Sequence, residues 1–86
     1  MADEKEVKDD FQTLRTLRDE IRVQLHLAAA EAKDGFEDLE KKWVHAEGKL
    51  KQLGEESADS AERVADALGG VLDEIRAGYD RVKKLL

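Results

Sequence analysis

The sequence predicts an all-α fold, and three observations predict it. Charged residues make up 42% of the 86 and aromatics 5%, and Ala, Leu, Glu, Lys and Arg fill the spaces between regular apolar positions, the composition of long helices and coiled coils. No proline occurs, so nothing of that kind interrupts a helix. Apolar residues recur at spacings of three and four, and no stretch alternates with the period of two that a half-buried strand needs.

Eighty-six residues allow a single domain, 1–86, whose margin of stability is thin because so short a chain buries a small share of its surface. With no cysteine there is no disulfide and no thiolate metal site, which fits a reducing compartment; a cytoplasmic location is expected. A net charge of −6 disfavours nucleic acid and anionic membrane surfaces, both of which need clustered cations. The acidic start carries no secretory signal, and no apolar run approaches the roughly 20 residues of a membrane span.

Taken in order, residues 1–8 read as a polar tail. Asp9 and Asp10 then suit a helix N-terminus, where free N–H groups and the dipole favour negative charge. From there one apolar seam runs Leu14, Leu17, Ile21, Leu25, Ala28, Ala32, Phe36, Leu39, Trp43, Ala46, Leu50, Leu53. Its spacings mix eleven-residue and seven-residue blocks and average 3.6 residues per turn from Leu14 to Leu50, which predicts one nearly straight helix over about 9–53. The weak point is Asp34-Gly35, because a mid-helix glycine costs about 1 kcal/mol and Asp-Gly is a turn signal. Leu53-Gly54 reads as the stop, with a left-handed glycine after the last periodic residue. Residues 54–57 form the turn, and Ser57 or Asp59 caps the next helix.

The second helix, about 58–86, carries Ala58, Ala61, Ala65, Leu68, Leu72, Ile75, Tyr79, Val82 and Leu86 in heptad spacing, flanked by Val64, Val71 and Leu85. Arg81, Lys83 and Lys84 sit in its last turns, where cations complement the dipole.

These elements predict an antiparallel helical hairpin with a long first helix and coiled-coil packing. A constant register pairs Leu53 with Ala58, Trp43 with Leu68, Leu39 with Leu72, Phe36 with Ile75, Ala32 with Tyr79 and Leu25 with Leu86. That register leaves the first helix overhanging by about 18 residues, or ~27 Å at 1.5 Å per residue. Val7, Phe11, Leu14, Leu17, Ile21 and Leu25 then form an uncovered apolar face, the expected oligomer interface. A two-fold homodimer closes it most simply, with overhangs crossing near Thr16, and a higher homo-oligomer closes it as well. The alternative fold is a three-helix, spectrin-like bundle broken at Asp34-Gly35, in which the overhang folds back and needs no second chain.

Catalytic, cofactor and metal residues are not expected. His26 and His45 have no carboxylate or second histidine at i±4 and read as solvated boundary residues. The many carboxylate pairs are what 21 acids produce, and i,i+1 neighbours on a helix point apart. There is no phosphate-binding glycine loop and no nucleophile elbow. Trp43 reads as core, and Arg15, Arg18 and Arg22 read as a solvated or intersubunit ion-pair strip.

The runs LRDEIRVQLHLAAAEAKD, FEDLEKKW, LGEESADSAERV and LDEIRAGYDRVKKL resemble short uncharacterised bacterial helical proteins that carry coiled-coil, apolipoprotein-like or stress-related labels. The resemblance implies a long charged helix, a short turn and a second helix, and transfers no functional residue. The expected function is a non-enzymatic coiled-coil protein that self-associates or scaffolds a helical partner through residues 7–25. The alternative is a reversible amphipathic lipid- or surface-binding stress protein, with only peripheral lipid contact.

Overall fold

The computed structural model describes residues 4–86; residues 1–3 of the expected tail and the Ala58 side chain, with its pairing to Leu53, lie outside the described set. All described elements are helical. Helix α1 spans Glu4–Gln24, a single 3₁₀ turn covers Leu25–Leu27, α2 spans Ala30–Glu55, and α3 spans Ala58–Lys84. The three helices pack against one another, with α3 contacting both α1 and α2, in a rod of 45 × 18 × 17 Å.

Two boundaries differ from the sequence reading. Residues 4–8 belong to α1 rather than to a tail, because Val7 lies one turn before Phe11 and extends the same apolar face into the core. Asp9 and Asp10 therefore sit inside the helix, and Asp10 meets Arg76 of α3 at 3.4 Å.

The helix expected to run unbroken over 9–53 is interrupted at residues 25–29. No local breaker stands there: the segment is Leu-His-Leu-Ala-Ala. The reason is tertiary. Folding back at this point buries Val7, Phe11, Leu14 and Ile21, each at most 2% exposed. At about 1.5–3 kcal/mol per large apolar side chain, that burial outweighs a few helical hydrogen bonds worth about 0.5–1.5 kcal/mol each.

Asp34-Gly35, where the alternative fold placed its break, lies inside α2. A Cβ built on Gly35 would stand 3.4 Å from Val82 Cγ2, so this glycine sits where α2 and α3 come close. Gly54 likewise stays helical; α2 runs through it to Glu55, and no described residue has a positive φ. The α2–α3 turn is Glu56 and Ser57, both extended. Ser57 occupies the N-cap position, yet its hydroxyl meets Ser60 Oγ at 3.4 Å rather than a backbone N–H.

The shorter turn moves the α2–α3 register. Phe36 stacks on Tyr79 with ring centroids 6.0 Å apart, one turn beyond the expected Ile75, and Leu39 lies against Gly78, further along α3 than the expected Leu72. Side chains lean toward the N-terminus of their own helix, so antiparallel partners meet in this offset sense. One continuous core results: Ala32, Phe36, Leu39, Trp43, Ala46 and Leu53 of α2 with Val64, Ala65, Leu68, Leu72, Ile75, Tyr79 and Val82 of α3. Leu86, expected opposite Leu25, lies beyond the end of α3 and is exposed.

The glycines of α3 separate two effects. At Gly70 an added methyl meets nothing within 4 Å, whereas at Gly78 it collides with Leu39 Cδ2 and stands 3.1 Å from Leu39 Cγ. Gly70→Ala is expected to raise stability by about 0.5–1 kcal/mol through helix propensity. Gly78→Ala is expected to show no such gain, because crowding a packed core costs about 1–3 kcal/mol. Urea midpoints of the two variants against the parent check this; a Gly78→Ala stabilised as much as Gly70→Ala would mean that the Leu39 side chain gives way at little cost.

Candidate helix-docking site

The apolar face of α1 is the feature to which the sequence points, and its six side chains are all brought onto one side of the helix. Val7, Phe11, Leu14 and Ile21 are buried, and Leu17 and Leu25 pack partly buried against the same core. The face expected to lie uncovered is packed here against α2 and α3. Overhangs crossing at Thr16 cannot pair these side chains while α1 is so docked.

Polar and aromatic side chains fix α1 in place. The Phe11 ring stacks on Trp43 of α2 at 4.6 Å between centroids with 22° between planes. Two turns further along α1, Arg18 grips Glu40 of α2 with both arms: Nε donates to Oε1 at 2.7 Å and Nη2 to Oε2 at 2.6 Å. The guanidinium also lies 5.4 Å from the Trp43 ring centroid, and Arg15 lies 5.1 Å from that of Phe11. A bidentate pair of this kind is stronger and more directional than an ordinary surface ion pair. Its hydrogen bonds to Glu40 hold the Arg18 guanidinium above its usual basicity, against the opposing effect of partial burial. The basic strip read as solvated or intersubunit is thus, at Arg18, an internal clamp.

Beneath the clamp is Tyr79, which is 0% exposed. Its hydroxyl has no hydrogen-bond partner among the described residues. Burial pushes the phenol up from its ordinary value; the negative charge of Glu40 adds to this and Arg18 opposes it.

Two surface features lie outside this core. A groove of about 620 Å³ between α2 and α3 is lined by Gly35, Leu39, Gly78 and Val82 and rimmed by charged residues of both signs, including Asp38 and Arg81. At the hinge end, Leu27, Ala28 and Ala29 share a cleft with Leu85 and Leu86; Leu27 is 98% exposed. His26 and His45 are exposed, and among the described residues no three His, Asp or Glu side chains are grouped as a metal site. No helix is long and apolar enough to cross a membrane among those residues.

The arrangement as a whole defines an all-helical protein in which an amphipathic helix lies along a helical pair. Compared with protein-family models, curated proteins and solved structures, the chain matches none.

Proposed function

We propose that this chain is a non-enzymatic helical protein that works by association: it self-associates as a homodimer or higher homo-oligomer, or holds a helical partner, through the α1 face and its seat on α2 and α3. One observation carries the reading. α1 is bound as an amphipathic ligand helix is bound in a groove, with anchors at Val7, Phe11, Leu14 and Ile21 in the spacing of helix-in-groove recognition. A seat of this kind accepts any helix with the same anchors, including α1 of another copy. In this reading the closed three-helix arrangement is the resting form, and the antiparallel hairpin with a long first helix is its open form. Light scattering across micromolar to millimolar concentration tests it. Concentration-dependent dimers are expected; a monomer throughout overturns self-association.

A second reading, reversible contact with a lipid or other apolar surface, draws on the exposed apolar end formed by Leu27, Leu85 and Leu86 beside Lys83 and Lys84. It requires Trp43 emission or helicity to change with zwitterionic vesicles, and an unchanged spectrum removes it.

A further inference from the structure

The segment joining α1 to α2 lacks the features that hold a loop as a loop. Residues 25–29 contain no glycine, proline, asparagine, aspartate or serine, the residues that stabilise turns. Ala29 stands at the N-cap of α2 with no side-chain cap, and Gln24, at the N-cap of the 3₁₀ turn, makes no side-chain cap either. Leu27 is 98% exposed. The terminal N–H groups of α2 and C=O groups of α1 thus lose helical partners that side chains do not replace.

The segment nevertheless keeps helical phase. The spacings Leu14, Leu17, Ile21, Leu25, Ala28, Ala32, Phe36 run 3, 4, 4, 3, 4, 4 across it. A connection used only as a loop has no need of that phase. A continuous helix requires it. In one chain, continuity of the helix and burial of the α1 face exclude each other. In two chains they do not.

We infer that the partner of this chain is a second copy, joined by exchange of α1: residues 25–29 straighten, α1 and α2 fuse into one helix, and each α1 docks on α2 and α3 of the other copy. The inference rests on the self-association proposed above and adds its mechanism. The contacts that hold α1 on α2 support it geometrically. Residue 27 is the midpoint between Phe11 and Trp43, and residue 29 that between Arg18 and Glu40. A two-fold axis through the hinge therefore rebuilds the same stack and the same bidentate clamp between chains, with the helices still antiparallel. No new interface has to be invented, and the backbone groups freed at the hinge regain their helical partners in both copies. Exchange of an identical element is a low-cost route to a two-fold dimer.

Ala29 supplies the test. Its φ of −65° and ψ of 157° are those of a proline, Ala28 before it is extended at −81° and 157°, as a residue preceding proline prefers, and the Ala29 N–H makes no backbone hydrogen bond. Ala29→Pro therefore fits the closed chain and breaks the fused helix, shifting the equilibrium toward monomer on the order of a hundredfold or more. Ala29→Ser, a cap for α2, acts in the same direction more weakly and serves if the proline variant folds poorly. Location of α1 is read separately. The chain has no cysteine, and Asp10 and Arg76, which join α1 to α3 within one chain, are partly exposed. In Asp10→Cys/Arg76→Cys protein, a short bismaleimide applied to the isolated dimer is expected to give covalent dimers on a denaturing gel, and applied to the monomer, internally bridged monomers. Internally bridged chains from the dimer fraction, or dimers of Ala29→Pro as abundant as those of the parent, overturn the exchange while leaving self-association standing. A parent protein monomeric at every concentration overturns both.

Discussion

Trp43→Ala is expected to lower unfolding free energy by about 3–5 kcal/mol, the range for emptying a large aromatic site in a packed core. Trp43 is 2% exposed and is where α1 and α2 meet: it carries the Phe11 ring on one side and lies near the Arg18 guanidinium. Its removal leaves both without a face to lie on, and aromatic pairs alone add about 0.5–1.5 kcal/mol beyond the area they bury. Domains of this size have totals of only about 5–15 kcal/mol, so the variant should be largely unfolded at moderate warming. Val44, its neighbour in sequence, is 66% exposed, and Val44→Ala should stay within about 0.5 kcal/mol of the parent. Urea unfolding followed at 222 nm measures both. Equal, small effects would mean that α1 does not dock on Trp43.

Alkaline pH should unfold the protein through Tyr79. The buried phenol is held protonated above its ordinary range, while the unfolded chain ionises near 10. Above that pH the unfolded state binds fewer protons than the native state, so stability falls as pH rises, and it is undiminished by this group below about 10. Lysines titrate in the same region, so Tyr79→Phe is the reference, with every lysine retained. The variant should lose the tyrosine share of the alkaline decline. At neutral pH it should be about as stable as the parent or more so, since a buried hydroxyl without a partner costs about 1–3 kcal/mol. Tyr79 is the single tyrosine, so tyrosinate absorbance near 295 nm reports it alone. Its appearance should coincide with loss of helicity. A phenol titrating near 10 in a fully helical protein contradicts its burial.

The seam from Leu14 to Leu53 and the heptads of α3 were legible because burial on a helix leaves a period of three and four; the structure buries most of the described positions and half-buries Leu17, Leu25, Ala28, Leu50 and Ala61. The site side chains Val7, Phe11, Leu14 and Ile21 were legible as an apolar face for the same reason. What covers them was not, because the fold-back at residues 25–29 has no local sign: Leu, His and Ala there favour a helix about as well as their neighbours do. Gly54 misled in the opposite direction: it looked like punctuation and stays in a helix. Gly35 read only as a weak point, and α2 runs through it beside a close neighbouring side chain. The Arg18–Glu40 clamp was out of reach for a further reason. Its partners are 22 residues apart and meet only once the fold-back is known. The nearest available sign was that each borders the seam, Arg18 beside Leu17 and Glu40 beside Leu39.

The two-residue turn at Glu56 and Ser57 also sets an order of assembly. Closing so short a connection costs little chain entropy, so α2 and α3 can pair early and cheaply. α1 docks chiefly on α3, through contacts such as Asp10 with Arg76 that lie 66 residues apart, and contacts of large separation are the slow ones. With no proline in the chain, peptide-bond isomerisation adds no slow phase. If α2 and α3 pair before α1 docks, their groove stands empty until an α1 reaches it, and the concentration of other copies then weighs on whose α1 fills it.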